Sequence, residues 1–359
     1  MCRGLTTSAF PRAYRTVPTP TPQSSRPVTT RDVALKAGVA QSTVSRALSN
    51  NPQVSPAERK RIVAIAQKLG YRPNPYVSAF TAQVRGYRRS PQGATIAFLD
   101  CTPARRQNFT RDYREGAAKR ARSLGYKEEV FRLSELNGSI DQLNRILQAR
   151  GISSMLVLPV PDSCDLSAVR WENLICATID YTLRQPDMHR ASPDYFNAMQ
   201  MTLQKLETQG RKRIVFCARR EDVTDIAPPW LGAYSCCQRL KKPADRMDAY
   251  ISTKWDKAHF QQWLKRTKPD AIVTNSAHFF DWAEEAGFNH PEVRFSALSF
   301  YKKRPDITYI EQNPEQVGAA AIDLIIGQIH RNERGLPSLP KRVLVASSWV
   351  DPSTQGQLS

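Results

Sequence analysis

Residues 28–48 read VTTRDVALKAGVAQSTVSRAL, and this stretch decides the fold of the first part of the chain. Thr29, followed three residues later by Asp32, is typical of a capping box at the start of a helix. Apolar residues at helical spacing follow, and Gly38 is expected to end this helix. A second helix is predicted from about Gln41 to Leu48. Two short helices joined by a glycine-containing turn predict a helix-turn-helix.

A third helix is predicted directly after this pair. Ser55 suits the N-cap, Pro56 the first helical position and Glu58 the third, so three start signals fall within four residues. Apolar residues recur at helical spacing over 62–69, and Gly70 supplies the stop. Three such helices can bury a small shared core and leave the second free to enter a DNA groove.

The outer face of the second helix is polar and carries Gln41, Ser42, Ser45 and Arg46. Arginine and glutamine can form paired hydrogen bonds with guanine and adenine edges, while serine and threonine hydroxyls reach phosphates. The pattern therefore indicates a DNA-reading helix. Taken alone, it is equally compatible with a polar face that only contacts water.

Charge supports the DNA interpretation. The chain has 359 residues, which suits two or three domains, and its pI is about 9.9. Residues 1–90 hold fifteen lysines and arginines but only two acidic residues, whereas the rest of the chain is nearly balanced. A basic module attached to a neutral body predicts binding to a polyanion. The alternative is a solvated basic tail.

From residue 28 to residue 72 the sequence resembles the DNA-binding headpiece of the lactose-repressor (LacI) family. The matching motifs are Thr29-x-x-Asp-Val-Ala34, Ala37-Gly-Val39, Ser42-Thr-Val-Ser-Arg46 and Gly70-Tyr-Arg-Pro-Asn74. The resemblance implies that Gln41 and Ser42 vary with operator sequence and that Arg46 reads a base. It also implies that Thr43, Ser45 and Asn50 contact the DNA backbone and that Tyr71 faces DNA. The full set of expected DNA-binding positions is Thr29, Gln41, Ser42, Thr43, Ser45, Arg46, Asn50, Tyr71, Arg72, Asn74, Val77 and Phe80.

The chain departs from the family pattern at two places. Ala40 replaces the serine that usually caps the recognition helix, a loss of about 1 kcal/mol of local stability. In the hinge, Val77 and Phe80 stand where the family has an alanine and the leucine that wedges into the minor groove. Phenylalanine is an acceptable apolar wedge. Packing of Phe80 in a dimer contact is the alternative.

From residue 93 the pattern changes to alternating short apolar strands and helices, which predicts an α/β body with parallel sheets covered on both faces. Strands are predicted at 94–99, 131–133, 154–159, 214–218, 250–253 and 271–274. Helices are predicted at 110–125, 140–147, 195–206, 230–240 and 258–266, with a long apolar helix ending at residue 329.

The body resembles the family's two-lobed regulatory domain, which is shaped like a periplasmic sugar-binding protein. The phrases that match are Gly210-Arg-Lys-Arg-Ile-Val215, Pro269-Asp-Ala-Ile-Val273 and Gln312-Asn-Pro-x-x-x-Gly318. The predicted organisation is a disordered tail (1–26), a small all-α headpiece (27–73), a hinge (74–92) and an effector-binding and dimerisation body (93–359).

The effector residues match the family least well. The expected loop 228–232 has Pro229 where relatives that bind sugars or purines have an arginine, and Ser276 replaces an aspartate. The side chains that could hold a small molecule are Trp230, Asn275, Phe279, Trp282 and Tyr301. The alternative is that these aromatic residues belong to the core or to a contact between lobes.

Other classes of protein find little support. The sequence contains no Gly-x-Ser-x-Gly elbow, no phosphate loop and no Gly-x-Gly-x-x-Gly fingerprint, so no enzyme activity is predicted. Seven scattered cysteines and five scattered histidines show no metal-ligand spacing, which predicts no metal and no cofactor. The apolar runs are shorter than the roughly 20 residues of a membrane helix. A bacterial, cytoplasmic, nucleoid-associated protein is expected.

The leading hypothesis is a sequence-specific transcriptional regulator, a repressor by expectation, acting as a homodimer on a pseudo-palindromic operator. A small-molecule effector, for which a carbohydrate-related compound is one candidate, would bind between the lobes. Two alternatives remain: a sugar-binding or sugar-converting protein with a vestigial headpiece, and a weakly specific DNA-packaging protein.

Overall fold

The structure is a computed structural model that describes residues 28–48, 53–71, 94–103, 108–161, 164–299, 304 and 307–352. The chain separates into two compact units, Met1–Asn74 and Pro75–Ser359. The described part of the first unit is called the headpiece here, and that of the second unit the body. Some sequence-based predictions fall outside the described residues. They concern the tail 1–26, Asn50, Arg72, Asn74, Val77, Phe80 and Tyr301.

The headpiece consists of three helices, as predicted: α1 Thr30–Ala37, α2 Gln41–Leu48 and α3 Pro56–Lys68. The predicted capping box is present, because the backbone N–H of Thr29 donates to the Asp32 carboxylate at 2.8 Å and the Thr29 hydroxyl accepts from the Asp32 N–H. Gly38 ends α1 at a φ of 65°, in the left-handed region that glycine adopts without a Cβ clash. Ser55 caps α3.

A small apolar core joins the three helices. Its buried members are Val33, Ala34, Ala37, Val44, Ala47, Val54, Ile62 and Ala66. Arg61 of α3 adds a polar link, since its guanidinium donates to the backbone carbonyl of Ala37 at 2.9 Å. That carbonyl lies in the last turn of α1, where a helix leaves acceptors without internal donors. The headpiece is therefore held by apolar contacts and by hydrogen bonds at its helix ends.

The body is an α/β structure. Its helices are α4 Asn108–Ser123, α5 Ile140–Ala149, α6 Tyr195–Thr208, α7 Pro228–Leu240, α8 Lys257–Thr267, α9 Ala277–Glu285 and α10 Pro314–Arg331. Its strands are β1 Thr95–Asp100, β2 Lys127–Arg132, β3 Ser154–Val157, β4 Ile175–Ile179, β5 His189–Pro193, β6 Ile214–Arg219, β7 Tyr250–Ser252, β8 Ala271–Thr274, β9 Arg294–Ala297, β10 Thr308–Glu311, β11 Arg342–Val345 and β12 Ser348–Val350. Short 3-10 turns cover Leu133–Leu136, Trp171–Asn173 and Pro243–Asp245, and a π turn covers Asp222–Ile226.

The strands form two sheets of six, one in each of two lobes. Lobe A has the order β11-β5-β4-β3-β1-β2 with parallel pairing throughout. Lobe B has the order β12-β10-β9-β8-β6-β7 and is parallel except for β12, which runs antiparallel to β10. Each sheet has an apolar cluster on both faces, as expected when helices cover a parallel sheet. The predicted α/β body with parallel sheets is confirmed.

The chain passes between the lobes at three places: after β5, between β10 and α10, and between β11 and β12. After the second crossing, α10 packs closely along α4 of lobe A. Gly116 of α4 and Gly318 of α10 have no room for a Cβ atom. A Cβ at position 116 would lie 2.1 Å from the Glu315 carbonyl oxygen, and one at position 318 would lie 2.0 Å from the Tyr113 carbonyl oxygen. Glycine is required here because the two helix backbones touch.

Several predicted elements need correction. The segment 228–232 is not a loop, because Pro228 begins α7 and prolines are favoured at the first helical positions. The strand predicted at 131–133 lies instead at Lys127–Arg132. Four of its six residues are charged and most are half-buried, so its sequence lacks the apolar pattern of a strand. The prediction also missed β4, β5, β9, β10, β11 and β12, which are short or rich in polar residues.

Candidate nucleic-acid interface and ligand cleft

The outer face of α2 carries the residues predicted to contact DNA. Gln41, Ser42 and Arg46 are exposed, and Thr43 and Ser45 are half-buried. On the opposite side of the same helix, Val44 and Ala47 are buried in the headpiece core. The core thus anchors one face of α2 and leaves the other available to a partner.

One contact of this face was not foreseen. The side-chain amide nitrogen of Gln41 donates to the hydroxyl oxygen of Thr30 at 2.7 Å. Gln41 is the first residue of α2 and Thr30 the first of α1. The bond therefore orients the Gln41 amide relative to α1 while leaving the side chain on the surface.

Thr29 and Tyr71, two other predicted DNA contacts, also serve the fold. The Thr29 hydroxyl donates to the Asp32 carboxylate at 2.7 Å, which makes it part of the cap of α1. The half-buried ring of Tyr71 packs against the apolar core of the headpiece, and its N–H donates to the Ala66 carbonyl at 2.9 Å. DNA contact through either residue remains a prediction.

The electrostatics of the headpiece favour an anionic partner. Its acidic residues, Asp32 and Glu58, are both engaged locally, Asp32 in the cap of α1 and Glu58 in an exposed ion pair with Arg61 at 2.7 Å. The hydrogen bond from Arg61 lowers the pKa of the Glu58 carboxyl. The basic residues of the same segments are Arg31, Lys36, Arg46, Arg59, Lys60, Arg61 and Lys68. The surface is therefore strongly positive at neutral pH.

In the body, the structure separates the residues predicted to bind an effector. Trp230 is buried on one face of the lobe B sheet, where its ring packs edge-on against Tyr195 at 4.9 Å. Phe279 is completely buried in the cluster on the opposite face. Their burial, on opposite sides of one sheet, means that these two rings do not line one pocket. Asn275 is half-buried just after β8, and its side-chain oxygen has no hydrogen-bond partner among the described atoms.

Lobe B also carries an exposed tryptophan that was not predicted from the sequence to bind a ligand. Trp255 follows β7, and its side chain is 49% exposed. Trp282 packs edge-on against it at 5.3 Å and His278 at 5.0 Å, and together these rings are called the aromatic platform here. The guanidinium of Arg219, paired with Asp222 at 2.6 Å, lies 5.5 Å from the Trp255 ring. The sequence signal that could have identified Trp255 is its position just after the strand predicted at 250–253.

A buried polar network lies at the first lobe crossing. Asp180, directly after β4, has a φ of 65° and accepts from the Tyr195 hydroxyl of α6 at 3.0 Å and from the Tyr181 N–H at 2.7 Å. Burial raises the pKa of the Asp180 carboxyl to about 6. Its second carboxylate oxygen is buried without a partner among the described atoms. The network joins the end of a lobe A strand to the first helix of lobe B.

The described residues contain no cluster of three histidine, cysteine or acidic side chains that could hold a metal ion. No described helix is long and apolar enough to span a membrane. The six cysteines in the described ranges are free thiols.

Comparison with known proteins agrees with this architecture. Residues 29–74 match the model of the "Bacterial regulatory proteins, lacI family". The chain is 49% identical over 47 residues to catabolite control protein A of Priestia megaterium, an alignment that spans 13% of this chain and 14% of that protein. It is 22% identical over 338 residues to the transcriptional regulator MalR of Streptococcus pneumoniae, covering 90% of this chain and 99% of that protein.

The fold also matches solved structures. A structure of the Lac repressor dimer bound to operator and the anti-inducer ONPF has a TM-score of 0.52 at 17% identity, covering 91% of this chain and 98% of that one. Residues 29–74 therefore form a helix-turn-helix headpiece like that of the regulatory proteins of this family, and the rest of the described chain is a two-lobed α/β body. The match to the LacI family model is confined to the headpiece, whereas the likeness in fold covers most of the chain.

Proposed function

We propose that this chain represses transcription by binding a pseudo-palindromic operator as a homodimer under the control of a small-molecule effector. The observation that carries the proposal is the exposed face of α2, where Gln41, Ser42 and Arg46 stand above a buried apolar face. An α-helix fits the major groove, and these side-chain types suit base edges and phosphates. No step of this function requires catalysis or a cofactor, so we propose no enzymatic activity.

The dimer would bring two headpieces to one operator. In a twofold dimer, identical recognition helices read half-sites that are related by the same axis, which is why a pseudo-palindrome is expected. The Lac repressor dimer bound to operator supports this arrangement. We propose that residues of the hinge, Val77 and Phe80 among them, contact DNA between the two headpieces.

The effector would bind between the lobes of the body. The aromatic platform offers Trp255 as a flat surface for a carbohydrate-related ring, and the unpaired oxygen of Asn275 could accept a hydrogen bond from a hydroxyl group. A ligand that contacts both lobes favours one relative position of them. Such a ligand couples the cleft to the spacing of the two headpieces.

The expected location is the bacterial cytoplasm, on the nucleoid. The basic headpiece and the bacterial relatives support this proposal.

Selection from random DNA duplexes tests the proposal. The purified full chain should enrich a palindromic consensus, whereas an Arg46→Ala variant should enrich it less strongly. Binding to every duplex without enrichment would favour a DNA-packaging protein. Absence of DNA binding would favour the sugar-binding alternative with a vestigial headpiece.

A further inference from the structure

A pocket of about 350 Å³ lies where lobe A meets the start of α7 in lobe B. Most of its wall comes from the segment between β4 and β5, which contributes Tyr181, Leu183, Arg184, Gln185 and Asp187. Arg190 of β5 and Arg342 of β11 complete the lobe A side, and Thr224 and Pro228 form the lobe B side. This volume suits a small metabolite.

The charge of this wall is unbalanced. Three arginines, Arg184, Arg190 and Arg342, line the pocket together with a single acidic residue, Asp187. Arg342 donates to Asp187 at 2.5 Å. The buried carboxyl group of Asp180 accepts from the Tyr195 hydroxyl and interacts electrostatically with Arg190, but Asp180 is not one of the lining residues.

Two of the three arginines, Arg190 and Arg342, are held by hydrogen bonds within lobe A. Arg190 is buried, and its guanidinium donates to the backbone carbonyls of Asp180 and of Leu183, the latter at 2.7 Å. Arg342 donates to the Met188 carbonyl at 3.0 Å. β5 and β11 pair so that Arg190 and Arg342 are direct neighbours in the sheet. Burial and the positive charge of Arg342 both lower the pKa of Arg190, which reports like charges held close together.

We propose that this basic pocket binds the anionic group of the effector, a phosphoryl or carboxylate group on a small molecule. Planar guanidinium groups match the geometry of both anions and can bind them through two parallel hydrogen bonds. Because Thr224 and Pro228 come from lobe B, an anion held by the arginines contacts both lobes. The inference rests on the proposed function, since it specifies the chemistry of the effector.

Calorimetric titration of the full chain, without DNA, tests this pocket directly. The probes are inorganic phosphate, glucose 6-phosphate, gluconate and neutral glucose in a buffer free of multivalent anions. We expect at least one anion to bind with a dissociation constant below about 1 mM, and more tightly than glucose. Phosphate and glucose 6-phosphate would indicate a phosphoryl ligand, and gluconate a carboxylate ligand.

Two substitutions should act in opposite directions. Arg342→Gln should weaken anion binding about tenfold or more, because it removes a charge-assisted hydrogen-bond donor. Asp187→Asn should tighten binding about two- to fivefold, because it removes the competing carboxylate. Arg150→Gln is the matched control, since Arg150 forms an exposed ion pair with Glu129 elsewhere in lobe A. The Arg150→Gln variant should bind the anion with the same affinity as the wild type.

The proposal fails if no anion binds at about 10 mM, if glucose binds as tightly as glucose 6-phosphate, or if Arg342→Gln and Arg150→Gln behave alike. None of these three results would contradict the proposal that the chain binds an operator. Conversely, a chain that fails to select an operator can still bind anions in this titration. The two proposals are thus tested separately.

Discussion

The headpiece and the body of this chain reach their folds by different routes. The apolar core of the described headpiece joins residues between 28 and 71, and its helices begin and end at residues with local signals, such as the cap at Thr29 and the glycine at position 38. The body depends on distant pairings, since β11 pairs with β5 and α10 packs on α4. Local signals can be read from one sequence, whereas distant pairings leave little trace in it.

This difference explains which parts of the fold were predictable. The headpiece helices and the apolar strands β3, β6 and β8 were predicted because propensity, spacing and burial agree. Strand β5 reads HRASP and is completely buried, a composition that no strand rule favours. Its polar side chains find partners only in the folded body: His189 accepts from the Lys341 N–H at 2.8 Å, and Arg190 donates to the Leu183 carbonyl.

The candidate sites divide in the same way. The exposed face of α2 was predicted because an amphipathic helix determines which residues point outward. For the cleft, a tryptophan in the sequence does not show whether its ring is buried. The structure buries Trp230 and exposes Trp255, and residue type alone gave no means of telling the two apart.

The largest expected effect tests the distant packing of the body. Gly116→Ala should reduce the free energy of unfolding of the body by about 3 kcal/mol, because the added Cβ would lie 2.1 Å from a backbone oxygen that cannot move without shifting α10. All six tryptophans lie beyond residue 94, so their fluorescence in a urea titration reports on the body alone. Gly232→Ala is the control, since nothing lies within 4 Å of the added atom. Equal midpoints for the two variants would contradict the close approach.

The next effect belongs to the headpiece. Arg46→Ala should weaken binding to the selected operator by about 1–3 kcal/mol while changing binding to random DNA very little, because a base contact carries sequence information. Fluorescence anisotropy on both duplexes measures this. Lys60→Ala, a substitution in α3, serves as a charge-matched control. Equal losses on both duplexes would make Arg46 a phosphate contact.

A third prediction concerns the lobe crossing and its dependence on pH. The folded-state pKa of Asp180 is raised to about 6 from an ordinary value of 3.8, so the native state binds the proton more tightly than the unfolded state does. Asp180 therefore lowers stability progressively as the pH rises from about 4 through 6. Asp180→Asn should stabilise the body by about 1–3 kcal/mol at pH 8 and have little effect near pH 4. Tryptophan-detected unfolding at both pH values tests this, with the exposed Asp112→Asn as control. A stabilisation independent of pH would contradict the buried charge.

The smallest expected effect tests whether the local geometry of the headpiece reaches the DNA. Thr30→Val removes the hydroxyl that accepts from the Gln41 amide at 2.7 Å and keeps the size of the side chain. An exposed hydrogen bond contributes about 0.5–1 kcal/mol, so operator discrimination at the base pair facing Gln41 should change by no more than that. Gln41→Ala removes the reading side chain itself and serves as the reference. If Thr30 acts by orienting Gln41, Thr30→Val should have no further effect in the Gln41→Ala background, and a double-mutant cycle measures this coupling. Additive effects would mean that Thr30 influences binding through its own contact with DNA.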